Sequence, residues 1–268
     1  MQDKLQNEIH ATAVIEDGAQ LGEGVRVGPY CVVGGDVVLG DRVHLRSHVV
    51  VEGHTTLGDD CEVFPFASVG APPQDRKYEG EPTKLIVGAR TVIRECATLQ
   101  PGTVASRGIG ETRVGADCLL MAYVHVAHDC VVGDHVIIAN ASQLAGHVVI
   151  EDHVVFGGMT TVHQFVRVGT RAFTGARTHL VKDVPPYMMA DGHPAHLFGL
   201  NKVGLERAGL DPQVIKALKD AYKAIFLRGA YAEGVQEASS SSVPEVERLA
   251  RFLQASERGV TRPRNQRP

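Results

Sequence analysis

Small aliphatic residues recur at every sixth position from Ile9 through Ile15, Leu21, Val27, Val33, Leu39, Leu45, Val51, Leu57 and Val63 to Val69. Two places ahead of these rungs sit other small or apolar side chains: Ala13, Ala19, Val25, Cys31, Val37, Val43, Val49, Thr55, Cys61 and Ala67. A second run steps from Val114 through Leu120, Val126, Val132, Ile138, Leu144, Ile150, Phe156, Val162, Val168 and Thr174 to Leu180. Helices repeat every 3.6 residues and simple strands every two, so neither gives a period of six. Short flat strands joined by tight corners do, because each face contributes one inward pair and one turn. Three such faces close a triangular prism with about 18 residues per coil. The pattern predicts an all-β left-handed parallel β-helix of hexapeptide repeats.

The period is broken twice. Residues 71–84 (APPQDRKYEGEPTK) are polar and carry three prolines, which cannot continue a flat ladder. Val87, Ile93 and Leu99 resume in shifted phase, and residues 100–113 form a second insertion. Loops inserted into a solenoid emerge at one edge and usually carry function. Near Asp183-Val184-Pro185-Pro186 the repeat stops. Asp211-Pro212 then reads as a helix cap, with Val214, Leu218, Tyr222 and Ile225 at helical spacing. Pro244 opens a second helix, and the serine run 239–242 is a loop between them. The expected organisation is a β-helix over 1–190 and a small α-helical domain over 191–268, ending in a basic, disordered tail from Arg258.

Composition adds constraints. No stretch reaches the roughly 20 apolar residues of a membrane span, and the first ten residues lack the apolar core of a signal peptide. A cytoplasmic protein without stable membrane insertion is expected. Cys31, Cys61, Cys118 and Cys130 fall on the inward small-residue position, where a thiol acts as a small hydrophobe; Cys96 does not. A net charge of −4 gives no general attraction to nucleic acid.

Candidate chemistry concentrates in the second run: His125, His128-Asp129, Asn140, Gln143, Gly146-His147 and His163-Gln164. The coil length sets residue 128 beside 146, 129 beside 147, and 163 beside 145, so these pairs share one prism edge. His10, His44, His48, His54, His135 and His153 read as bystanders. An imidazole can act as base and then acid at neutral pH. Asp129 would fix its tautomer, and the Gly146 N–H is open to a developing oxyanion. With no Ser or Cys nucleophile evident, the set suggests direct acyl transfer to a bound acceptor. On this reading Asp129→Asn is expected to be milder than loss of His128, since an amide still orients the ring.

The motifs HVAHDCVVGD (125–134), ANASQLAGHVVIED (139–152), GGMTTVHQF (157–165), DVPPY (183–187) and QDRKYEGEPT (74–83) resemble the UDP-N-acetylglucosamine O-acyltransferase family, which begins lipid A biosynthesis. The resemblance covers essentially the whole chain. It implies transfer of an (R)-3-hydroxyacyl group from acyl carrier protein to the glucosamine 3-position of UDP-N-acetylglucosamine, with no cofactor or metal. It further implies His128 as general base, Asp129 as its orienting partner, and Gly146 as oxyanion donor. His125, His147, His163 and Gln164 would line the sugar and acyl groove. Gln74, Asp75 and Lys77 would reach the substrates, across the interface of a homotrimer. Asn201 and Arg207 would serve the nucleotide, although where the family carries two consecutive arginines this chain has Arg207-Ala208. Ala176, just after Thr174-Gly175, would be the acyl-length ruler.

Two rival enzymes are a related hexapeptide N-acyltransferase, which carries an N-terminal uridine-binding domain before its repeats, and a zinc hexapeptide enzyme, whose close His pair has four residues between its ligands. Here the repeats begin at Ile9, and that histidine spacing is absent. A third rival, a non-catalytic β-helix, would repeat one flat Thr or Asn face, whereas the polar identities here change from coil to coil. Lys216, Lys219, Lys223 and Arg228 crowd one side of the expected helix and form a candidate docking face for an acidic carrier protein.

Overall fold

The computed structural model describes residues 5–105, 107–228 and 230–264. Among the described residues the rungs form three parallel sheets in which each strand pairs with the one a coil later; with an antiparallel hairpin closing the first, the sheets hold eleven, nine and eight strands. Face 1 starts at Glu8–Ile9, face 2 at Val14–Ile15 and face 3 at Gln20–Leu21; Glu8 pairs with Arg26, Val14 with Val32 and Gln20 with Val38. Val33, Leu45, Val51, Leu99, Ile138 and Leu144 are fully buried in a column of rungs. Each such side chain stabilises the fold by about 1.5–3 kcal/mol. Burial pushes the Cys61 and Cys118 thiols up to about 11 and Cys130 to about 12, so none of these three supplies a thiolate at neutral pH.

The three edges of the prism differ in chemistry. The edge between faces 1 and 2 carries Tyr30, His48, Phe66, Cys96, Tyr123, Ala141, Met159 and finally Arg177 at its left-handed corners. Tyr30, Phe66, Tyr123 and Met159 are 60%, 63%, 62% and 55% exposed, which makes a long apolar ridge. His48 packs between Tyr30 and Phe66, with ring centroids 5.0 and 5.1 Å apart. The edge between faces 3 and 1 is ionic: Arg42 pairs with Asp60, Arg90 with Asp117, and His135 stacks on His153. The edge between faces 2 and 3 carries both insertions, which leave after Val69 and Leu99, together with His128-Asp129 and Gly146-His147.

Beyond the repeat the structure departs from the sequence expectation in three ways. Strands Met188–Gly192 and Ala195–Leu200 form an antiparallel hairpin that extends face 1, so the helical part begins at Lys202 rather than at 191. The hairpin's two strands lie outside the six-residue period, which hid them. Among the described residues four helices follow: α1 (Lys202–Arg207), α2 (Pro212–Phe226), α3 (Tyr231–Ser239) and α4 (Pro244–Gln254). Asp211 caps α2 through Gln213 N–H, and Pro244 opens α4, as expected; α1 and α3 were too short and weakly patterned to be read. The tail is ordered as far as Arg264. Val260 bridges to Asp183, and Pro263 bridges to Leu197. Residues 265–268 lie outside the described residues.

Candidate active site

His128 and Asp129 occupy a corner of the edge between faces 2 and 3, both nearly buried. The imidazole Nδ1 lies 2.8 Å from Asp129 Oδ2. That carboxylate is clamped by the second insertion: Thr103 N–H and Ile109 N–H donate to Oδ1 at 3.0 and 2.8 Å, and Thr103 Oγ1 donates to Oδ2 at 2.7 Å. Burial pushes the Asp129 carboxyl up, but the hydrogen bonds from His128, Thr103 and Ile109 outweigh it and hold the group at about 2. It is therefore an anion at any working pH and can only accept. The His128 proton accordingly sits on Nδ1, which leaves the Nε2 lone pair free.

Gly146 lies directly beneath the ring. A Cβ there would come within 2.5 Å of His128 Cε1 and 2.7 Å of Nε2, so any side chain would displace the imidazole. Ala145 N–H and His147 N–H donate to Val162 O and His128 O. Between them, the Gly146 N–H donates to no ladder carbonyl among the described residues.

The neighbouring histidines are arranged around this pair. His125 on face 2 lies 2.7 Å from Thr98 Oγ1, and burial, then the nearby His128, holds it below the usual imidazole range. His147 meets His128 edge-on at 5.1 Å and stacks flat on Phe165 at 4.5 Å. Burial also pulls His147 down, opposed by Asp129 and Asp75 and assisted by His128 and Arg107. Both flanking imidazoles are thus biased toward the neutral form. His163 and Gln164 lie exposed one coil further on, with Phe165 N–H donating to Gly146 O.

Within one chain the first insertion lies along the histidine edge, close enough for the charge of Asp75 to bear on His147. Gln74 N–H is anchored on the buried Gln100 and Lys77 N–H on Asp75, which fold the loop back along its own edge. Asn201 and Arg207 are not brought to this edge. Asn201 caps α1 through Gly204 N–H and donates to Arg171 O, on the edge between faces 3 and 1. Ala176 is exposed on the apolar edge between faces 1 and 2, three coils beyond Ala122.

Thr103, Ile109, Phe165 and Arg107, whose guanidinium lies 5.6 Å from the Phe165 ring centre, were missed by the sequence reading. Only the position of the insertion hinted at Thr103, Arg107 and Ile109. His128, Asp129 and His147 bring three ligand-type atoms within 4.8 Å. Both oxygens of this carboxylate accept N–H or O–H donors from His128, Thr103 and Ile109.

Prism, histidine edge and helical cap together define a hexapeptide-repeat transferase. A bacterial transferase hexapeptide model matches residues 18–53 and 111–146, and a model described as UDP N-acetylglucosamine O-acyltransferase, domain 2, matches residues 183–261. The acyl-[acyl-carrier-protein]--UDP-N-acetylglucosamine O-acyltransferase of Verminephrobacter eiseniae is 44% identical over 96% of this chain and 100% of its own length. The enzyme of the same name from an Anaeromyxobacter species is 48% identical over 95% of this chain and 99% of its own. The structure of LpxA from Acinetobacter baumannii superposes with a TM-score of 0.91 at 44% identity, over 95% of this chain and 99% of that one. The chain belongs to the UDP-N-acetylglucosamine O-acyltransferase family, and its β-helix is left-handed.

Proposed function

We propose that this enzyme transfers an (R)-3-hydroxyacyl group from acyl carrier protein to the 3-position of UDP-N-acetylglucosamine, the first step of lipid A biosynthesis, without a covalent acyl-enzyme. The observation that carries the reading is the His128–Asp129 pair with the Gly146 N–H beside it. His128 Nε2 takes the proton of the sugar hydroxyl as its oxygen attacks the thioester carbonyl carbon. The Gly146 N–H donates to the oxyanion that forms. Collapse breaks the C–S bond, and His128 returns the proton to the leaving thiolate. Mass spectrometry of products from purified enzyme, mixed acyl carrier protein thioesters and UDP-N-acetylglucosamine tests this. An O-acylated UDP-sugar supports it, and its absence overturns it.

A homotrimer completes the site. Three prisms meeting along the apolar ridge would leave three clefts, each walled by face 2 of one copy and face 1 of the next. The rim of each cleft would join the His128 edge of one copy to the Asn201 edge of its neighbour, and Ala176 would lie at the floor. No single prism can bring those edges together. Among the described residues no helix is long and apolar enough to cross a membrane, which is compatible with the expected cytoplasmic setting.

The carrier protein is assigned to the helical region. A groove of about 790 Å³ runs between Phe198–Leu200, α1 and α2, lined by Lys202, Lys216, Lys219 and Lys223 beside Ile215 and Leu227. Arg228 is not among its lining residues. Reversing Lys216 and Lys219 to Glu should raise the KM for the thioester about tenfold, weaken its salt dependence and leave the UDP-sugar KM alone. Equal effects on both substrates would count against this docking face.

Acyl length is assigned to Ala176. From the coil of His128 to that of Ala176 is three coils, about 14 Å at the usual strand spacing. Ala176→Gly should lengthen the preferred acyl chain and Ala176→Met shorten it by several carbons. The preference should be incomplete, since one methylene discriminates by only about 1–3 kcal/mol. Identical product profiles from both folded variants would place the ruler elsewhere.

A further inference from the structure

The ordered tail reaches the candidate site. Asp183 is buried; it accepts from Arg167 N–H and Ser256 Oγ, and its backbone carbonyl takes Thr261 N–H at 2.8 Å. These bonds fix residues 256–261 against the last coil. From there Arg258 Nε donates to Val181 O at 2.9 Å, and its Nη2 lies 2.8 Å from His163 Nδ1. His163 Nδ1 also lies 3.3 Å from Gln164 O, a contact that would require a proton on that nitrogen. The two contacts are mutually exclusive for a neutral ring. A guanidinium can only donate, and its charged bond is the shorter and stronger of the two, so Nδ1 accepts and the ring proton resides on Nε2.

We propose that Arg258 is a positioning residue that fixes His163 as the Nε2–H tautomer, so that the site presents a neutral N–H donor to an oxygen of the bound substrate. His128 and His163 then hold opposite tautomers. Asp129 places the proton of His128 on Nδ1 and leaves its Nε2 as a base, whereas Arg258 places the proton of His163 on Nε2 and makes it a donor. One anion and one cation, each bonded to Nδ1, divide two chemically identical side chains between proton acceptance and hydrogen-bond donation. The part of His163 as a substrate-lining residue rests on the function proposed above, but its tautomer does not.

The test reads the two separately. In the substrate-free protein with ¹⁵N-labelled histidine, His163 (assigned by difference from His163→Gln) should show a non-protonated Nδ1 and a protonated Nε2. A protonated Nδ1 overturns the proposal whether or not the enzyme acylates the sugar. In Arg258→Met the preference should be lost, and kcat/KM should fall about ten- to a hundredfold, as for loss of a hydrogen bond to a charged group. Arg258→Lys, which keeps a cationic donor, should restore part of it. The substrate whose KM moves identifies the oxygen that His163 contacts. A folded Arg258→Met enzyme with unchanged tautomer and kinetics would refute the assignment. Should that variant fail to fold, the wild-type spectrum alone decides.

Discussion

His128→Ala should lower kcat by about 10²–10⁴-fold, the usual contribution of a positioned general base, while melting temperature and UDP-sugar binding stay close to wild type. The side chain lies at a corner over Gly146, outside the column of rungs, so its removal leaves the prism core intact. A purified variant with near-normal turnover would end the assignment. The hydrogen bonds around Asp129 revise the sequence expectation for Asp129→Asn. Two backbone N–H groups bind Oδ1, so the asparagine oxygen must stay there and its NH₂ group must take the place of Oδ2. That NH₂ faces His128 Nδ1, which would then have to accept, moving the ring proton to Nε2 and removing the base. Asp129→Asn should therefore cost about 10³–10⁴-fold, as a tautomer-inverting amide does in a serine protease triad. Parallel turnover assays of both variants, with a tenfold or smaller loss for Asp129→Asn, would refute the clamp.

Charging the apolar ridge should dissociate the enzyme and silence it. Phe66→Asp with Met159→Asp places carboxylates on side chains that are 63% and 55% exposed in the single chain and that would meet their symmetry mates at the threefold axis. Burying such charges unpaired is costly, so sedimentation should report monomers with a prism still intact by circular dichroism. Turnover should fall by about 10²-fold or more, because in the proposed trimer it is the Asn201 edge of a neighbour that would position substrate against His128. A monomer with full activity would show that one chain suffices. The same geometry sets which inactive chains can complement. Co-expressed His128→Ala and Arg207→Ala chains should regain activity, since these residues lie on different edges. His128→Ala and Lys77→Ala chains should not if the first insertion, which folds along the His128 edge of its own chain, contacts substrate there.

What the sequence determined is everything the six-residue period reaches. Rungs from Ile9 to Leu180 fixed the prism, and coil arithmetic placed His128 beside Gly146 and Asp129 beside His147, because in a solenoid sequence separation converts directly into position. The same arithmetic gave the three edges, although their division into apolar, ionic and catalytic edges became visible only once every corner was placed. Where the period fails, that conversion fails with it. Thr103 and Ile109 lie in an insertion of no fixed register, and Arg258 meets His163 across 95 residues because hydrogen bonds to Asp183 and Val181 pin the tail that follows the helices. The Asp129 clamp, the inward fold of the first insertion, the placement of Asn201 on another edge and the ordering of the basic tail were decided only in three dimensions. Each depends on hydrogen bonds between segments whose separation along the chain carries no repeat, so only the folded structure brings their donors and acceptors together.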